Sequence, residues 1–195
     1  GERSSLITEA IRLINECRPK FFIWENVKGT FSSNNGADFW AIIKAFANIG
    51  GYRLEWQLLN TAWFLPQNRE RIYLVGTLGN TSGKEIFPIE ENTKRDIAKI
   101  RKKQFVRGRN KNTQGCIDTR GCTRSCRADL DNFIYDYKLK TIRKPTPIEN
   151  ERCQGYEDNW TKYGFINGEL TKISDSARNH ALGNAVTVDV VHAVG

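Results

Sequence analysis

Leu6, Ile7, Ala10, Ile11, Leu13, Ile14 and Cys17 recur at the spacing of one helix face. Ser4 or Ser5 is available as the cap, and Arg18-Pro19 ends the helix. Phe21-Phe22-Ile23-Trp24 follow as a run of large apolar residues, which predicts a strand buried on both faces. Directly behind it stand Glu25 and Asn26, on a loop that continues through Lys28-Gly29. Asp38 is placed to cap a second helix whose stripe is Phe39, Trp40, Ile42, Ile43, Phe46 and Ile49, closed by Gly50-Gly51. Tyr52, Leu54, Trp56 and Leu58 alternate with polar residues, the period of a half-buried strand. Ile72-Tyr73-Leu74-Val75 reads as the next strand, stopped by Gly76. Helix, strand, helix, strand, strand is the order expected of the second half of an open α/β sheet ending in an antiparallel pair.

After Gly79 the pattern weakens. Residues 80 to about 140 are Lys-rich and Gly-punctuated, with short strand candidates such as Asn132-Phe133-Ile134-Tyr135. Thr146-Pro147-Ile148-Glu149 has the composition of a helix start, with a capping residue, proline in the first position and glutamate in the third. That helix is expected to run to Cys153-Gln154 and close at Gly155. Gly183-Asn184 then reads as a turn feeding an apolar segment through Val191, expected to be a helix that docks on a sheet.

Charge changes the picture of the middle region. The chain carries a net +8, yet Lys94 to Arg127 holds twelve Lys and Arg against Asp96 and Asp118, a local +10, leaving about −2 elsewhere. A one-sign segment of that density repels itself unless it meets a polyanion, and nucleic acid phosphate is the economical partner. Phe105 is its sole aromatic residue, which favours contact with duplex over stacking on single-stranded bases. Lys102, Lys103, Arg107, Arg109, Arg120, Arg124 and Arg127 are the candidate phosphate contacts.

Five cysteines, an odd number with no secretory segment, argue for free thiols in a reducing, cytoplasmic setting. Cys116, Cys122 and Cys126 lack the paired short spacings of a zinc knuckle, so no metal is expected, although Cys153 could complete a fourfold set. No apolar run approaches a bilayer's thickness, and no partner membrane is expected. The chain contains no methionine, which favours a piece of a longer reading frame.

The candidate chemistry centres on Glu25 and on Gln67-Asn68-Arg69-Glu70-Arg71. Alternation along an entering strand puts Arg69 and Arg71 on one side. Two fixed cations beside a carboxylate could buttress a sheet edge or grip a planar polar ligand.

Taken together, Pro19 to Lys28 with its Glu-Asn-Val, the Gln-x-Arg-x-Arg within Leu65 to Gly76, Arg143 to Tyr156, and Gly-Asn-Ala-Val within Ala181 to Val191 resemble the motifs of the DNA (cytosine-5) methyltransferases. The resemblance implies an α/β fold: the C-terminal half of a Rossmann-like S-adenosylmethionine-dependent methyltransferase sheet, plus a small irregular, β-leaning target-recognition domain. It divides the chain at 1–78, 79–142 and 143–195 into the end of the catalytic domain, the target-recognition domain and a returning helical part. In that family a cysteine thiolate attacks C6 of a flipped cytosine, and C5 takes the methyl group of S-adenosylmethionine. The resemblance implies that Glu25 acts at N3 with a pKa raised by burial, and that Arg71 and Arg69 hold O2. Asn26 and Gln67 would support them, and Asn184 and the backbone at Ala185 would contact the cofactor. The family's Pro-Cys dipeptide and Gly-rich cofactor loop are absent, so no cysteine here is expected to be the nucleophile. The partners implied are double-stranded DNA and an N-terminal half of the same enzyme, with this piece inactive alone and prokaryotic or phage-encoded. Two other classes fit the same residues: a non-catalytic DNA-binding subunit of a two-chain methyltransferase, and a basic DNA-binding module.

Overall fold

The computed structural model describes residues 2–79, 85–90, 134–136 and 139–195. These fall into two compact units that are not simple halves of the chain. One comprises Gly1–Leu59, Glu70–Glu90 and Val194–Gly195, the other Asn60–Arg69 and Glu91–Ala193.

The first unit is built on a three-stranded sheet in the order β1-β3-β2, with β1 at Phe21–Val27, β2 at Tyr52–Asn60 and β3 at Glu70–Leu78. Helices α1 (Glu2–Cys17) and α2 (Ala37–Ala47) accompany it. β1 and β3 run antiparallel, in a register that pairs Phe21 with Thr77 and Val27 with Arg71. The core lies where α2 meets the sheet: Phe46, Ile72 and Leu74 are all 0% exposed. Each such side chain contributes roughly 1.5–3 kcal/mol by leaving water. Phe22 stacks on Phe46 at 5.3 Å between ring centres and meets Tyr52 edge-on at 5.2 Å.

Four details differ from the sequence expectations. β1 is only half-buried, because among the described residues it is an edge strand with β3 as its one neighbour. Glu25 and Asn26 belong to that strand rather than to a loop after it. Asp38 sits in the first turn of α2 while Gly36, at φ +87°, occupies the cap, and Asp38 instead accepts a hydrogen bond from the Ser33 hydroxyl. Gly76 does not stop β3. It lies under the Phe22 ring, where an added Cβ would stand 2.1 Å from Phe22 Cε1. The glycine makes room for a ring, which one-dimensional pattern cannot distinguish from a chain break.

In the second unit, β4 (Ile134–Asp136) and β5 (Thr141–Arg143) form one hairpin, and β6 (Tyr163–Ile166) and β7 (Glu169–Lys172) another. α3 (Pro147–Cys153) opens with the expected reciprocal capping box between Thr146 and Glu149. Arg143 binds both Glu149 oxygens at 2.8 and 2.9 Å and Asp136 at 3.0 Å, joining the β4–β5 hairpin to that first turn. α4 (Asp175–Asn184) and α5 (Val188–Val194) follow. Gly155 closes α3 at φ +81°, and a side chain there would collide with Asp189 Oδ2 at 2.3 Å. The β6–β7 hairpin and α4 had no clear sequence signal.

At the centre of this unit Glu151 is wholly buried. Its carboxylate accepts from the backbone N–H groups of Asn159 (2.7 Å) and Thr161 (2.9 Å), the Thr161 hydroxyl (2.5 Å) and Arg178 Nη2 (2.9 Å). Burial pushes its pKa up, but the hydrogen bonds from Thr161, Arg178 and Asn159 outweigh burial and leave it below the usual carboxylate value. Among the described residues no helix is long and apolar enough to cross a membrane.

Candidate functional site

Glu25 and Arg71 come together through strand register. Val27 faces Arg71 and Glu25 faces Tyr73, so Glu25 and Arg71 are diagonal neighbours across the β1–β3 pair. Arg71 Nε lies 3.1 Å from Glu25 Oε1, the two side chains being 15% and 24% exposed. Arg71 Nη1 also donates to the Glu70 carbonyl at 2.8 Å. Lys28 Nζ reaches both oxygens of Glu70 at 3.0 and 2.8 Å. Two ion pairs of alternating sign therefore line this end of the sheet. The Asn26 side chain turns to its own backbone, accepting from the Val27 N–H at 2.8 Å. Such a pair, partly open to water, matches a planar ligand edge that carries an acceptor oxygen beside a ring nitrogen.

Arg69, two residues before Arg71, has a different environment. It is 3% exposed, and its guanidinium donates to the carbonyls of Gly183 (3.3 Å from both Nη1 and Nη2) and Ala185 (2.7 Å). Alternation along the strand did not keep the two arginines in one role, because β3 begins only at Glu70.

The turn that Arg69 holds is fixed from several directions within the same unit. Gln154 Nε2 donates to the Leu182 carbonyl at 2.6 Å, and the Tyr156 hydroxyl to the Val186 carbonyl at 3.0 Å. The Val188 N–H donates to the Gln154 carbonyl at 3.0 Å, and the buried hydroxyls of Thr61 and Thr187 meet at 2.8 Å. Four carbonyls, from Leu182 to Val186, are thus bound by side chains. Gly183 and Asn184 form the last turn of α4 rather than a turn between elements, as the sequence had suggested, and Asn184 remains exposed there. Ala185 has less to offer a ligand, since its N–H donates to Ala181 and Leu182 and its carbonyl accepts from Arg69. Gln154, Tyr156, Thr61 and Thr187 were not singled out for this task from sequence. The Gln-Gly-Tyr sequence after a capped helix was the visible signal for two of them, and the Thr61–Thr187 contact had none.

Gln67 is 0% exposed, yet neither of its amide atoms has a hydrogen-bond partner among the described residues, and the same holds for Gln154 Oε1. Burial raises the Tyr156 pKa, partly offset by the Arg69 charge. Of the described cysteines, Cys17 is exposed at the end of α1 and Cys153 is buried in α3. Cys116, Cys122 and Cys126 and all seven basic candidates from Lys102 to Arg127 lie outside the described residues.

The family model described as C-5 cytosine-specific DNA methylase matches residues 1–119. The Type II methyltransferase M1.ScrFI of Lactococcus lactis subsp. cremoris is 29% identical over 98% of this chain, and this chain spans 54% of that protein. The orphan methyltransferase M.SPBetaI of Bacillus phage SPbeta is 47% identical over 38% of this chain and 17% of its own length. Among solved structures, the Dnmt2 methyltransferase of S. pombe superposes with a TM-score of 0.61 at 18% identity, covering 90% of this chain and 63% of that one. The α/β fold is therefore that of the methyltransferases. This chain spans about half the length of the first of these relatives, and much less of the second.

Proposed function

Because this chain belongs to the C-5 cytosine-specific DNA methylase family, we propose that it supplies the base-gripping and duplex-holding part of a DNA cytosine-5 methyltransferase, with the nucleophile lying outside it. The observation that carries the reading is the Glu25–Arg71 pair, a carboxyl group and a guanidinium 3.1 Å apart at one end of the sheet. Attack on C6 of cytosine drives electron density toward N3 and O2, two adjacent atoms of one ring edge. A Glu25 carboxyl that carries a proton once it leaves Arg71 would supply the hydrogen bond or proton that this charge requires at N3, and Arg71 would neutralise it at O2. Base entry then exchanges the contact between the two side chains for a contact of each with the ring.

Arg69 has a positioning role in this reading. Its donation to Gly183 and Ala185 holds the turn from which Asn184 would reach S-adenosylmethionine. The exposed Asn184 amide on a turn anchored from beneath suits a polar cofactor group, whereas Ala185 serves as an anchor point. S-adenosylmethionine, when bound, supplies the methyl group. Neither described cysteine suits the nucleophile, Cys153 being 1% exposed and Cys17 standing at a helix end, without the family's Pro-Cys context. The base must leave the stack at a cost of a few kcal/mol. Phosphate contacts from the segment around Lys102 to Arg127 would offset that cost and set the register. An N-terminal half bearing the nucleophile and the rest of the cofactor site would complete the enzyme.

The test combines labelled S-adenosylmethionine with mixed-sequence duplex and a salt series on the purified chain. Binding that weakens steeply with salt, without methyl transfer, is expected. Methyl transfer by the chain alone would refute the placement of the nucleophile, and absence of duplex binding would refute the duplex-holding role.

A further inference from the structure

The β6–β7 hairpin is mostly exposed and carries large apolar side chains: Tyr163 is 52% exposed, Phe165 78%, Ile166 50% and Leu170 64%. Isolated two-stranded ribbons are marginal in water, and exposed aromatic clusters of this kind are contact surfaces. Register sorts the side chains by face. Tyr163 pairs with Lys172 and Phe165 with Leu170, whereas Ile166 pairs with Glu169. One face therefore reads Tyr163, Phe165, Leu170 and Lys172, and the hairpin's one carboxylate, Glu169, is on the other. Lys162 adds to the first face, its ammonium lying 5.3 Å from the centre of the Tyr163 ring.

The hairpin is also held in shape. Its turn places Asn167 at φ +53° and Gly168 at φ +84°, the left-handed pair of a tight two-residue connection. Its root is tied by the Ile173 N–H on the Lys162 carbonyl at 2.9 Å and by Thr161 on the buried Glu151. A preformed element loses little conformational freedom when it meets a partner.

We propose that this face is a second grip on duplex DNA, with Lys162 and Lys172 on phosphates and the Phe165–Leu170 tip against the groove wall. The proposal rests on the duplex-binding reading above and adds a surface outside the basic segment. Charge decides the occupant. Two ammonium groups at the root of an apolar tip complement a polyanion with an apolar groove, the arrangement of wedge-type DNA contacts. Two copies of this face would bring four ammonium groups together, which disfavours self-association.

The test uses the full chain, a labelled mixed-sequence duplex and a sodium chloride series. Replacing both lysines (K162A/K172A) is expected to reduce the salt dependence of log K by about 1.8, since each phosphate contact contributes roughly 0.9. F165A/L170A is expected to weaken binding roughly tenfold, from lost apolar burial, with the salt slope unchanged. K162R/K172R should keep the wild-type slope, and E169Q on the opposite face should also leave it unaltered. Phe165, Glu169, Leu170 and Lys172 are exposed and Lys162 is half-buried, and matched thermal transitions verify folding. Wild-type binding with unchanged affinity and slope in both multiple variants would overturn this inference and leave the duplex-binding role standing. No wild-type binding would overturn both. A concentration-dependent dimer abolished by F165A/L170A would assign the face to self-association and overturn the proposal.

Discussion

Replacing Arg178 with methionine leaves the Glu151 carboxylate buried without its counter-charge. Arg178 Nη2 sits 2.9 Å from Glu151 Oε1, with side-chain exposures of 7% and 0%. Removing one partner of such a pair typically costs about 3–5 kcal/mol, because the remaining charge has already left water. Three donors survive on Glu151, the Asn159 and Thr161 N–H groups and the Thr161 hydroxyl. The expected loss is therefore near the lower end, about 3 kcal/mol. The reciprocal change, E151Q, should cost less. Arg178 would keep the Thr161 hydroxyl at 3.1 Å and Asp175 at 3.6 Å, the latter on an exposed side chain. Urea unfolding of the two single variants and the double variant R178M/E151Q measures both values and their coupling. The double variant should be more stable than R178M, since it removes the uncompensated charge. The pH dependence has a definite sign. Glu151 has a lower pKa folded than unfolded, so its contribution is complete above the unfolded value, about 4.3, and is lost as pH falls through the folded value. R178M should flatten that acid limb. A cost below about 1 kcal/mol for R178M, or no coupling between the two positions, would refute the view of Glu151 as a charge held by Arg178.

Three smaller tests address other joints of the structure. T146A removes the cap of α3 and should cost about 1 kcal/mol in urea unfolding, with the Arg143–Glu149 pair remaining; an unaltered midpoint would show that this pair alone fixes the helix start. G76A brings a methyl group to 2.1 Å from the Phe22 ring, within a packed stack. Overpacking of this kind should cost about 1–3 kcal/mol, and F22L/G76A should cost less than the two single changes added; strict additivity would deny the contact. Y156F deletes the hydroxyl bond to the Val186 carbonyl, worth about 0.5–1.5 kcal/mol. Tyr156 has a raised folded pKa, from burial first and against the Arg69 charge, so its contribution is present below the unfolded value and fades as pH rises through the folded one. Alkaline unfolding of Y156F should lose part of its pH dependence, and an identical alkaline limb would contradict the buried hydroxyl.

How far the chain could be read one residue at a time depended on the range of the interactions. Thr146-Pro147-Ile148-Glu149 announced a helix start because a capping box closes within four residues. The period of two at Tyr52 to Leu58 and the helical stripe from Phe39 to Phe46 located β2 and α2 but not their covered faces, since Trp40 and Trp56 are exposed and the buried residue of β2 is Leu59. Gly76 was misread because a glycine under a ring and a glycine at a break look alike in sequence. β1 was expected to be buried on both faces from its composition, yet the number of neighbouring strands, not composition, sets burial. The β6–β7 hairpin escaped notice because its alternation is short and its apolar residues face water.

By itself the sequence determined most of the local elements, though not α4 or the β6–β7 hairpin, together with the motif order and the resemblance to a methyltransferase family, all of which rest on contacts within a few residues or on spacing. Only tertiary structure separated the arginines, giving Arg71 to Glu25 across a strand register and Arg69 to the carbonyls of Gly183 and Ala185. The same is true of the Glu151–Arg178 and Thr61–Thr187 pairs, whose partners stand 27 and 126 residues apart. The physical reason is that a guanidinium, a carboxylate or a hydroxyl carries no preference for one distant partner over another until burial withdraws water and leaves a single partner within reach.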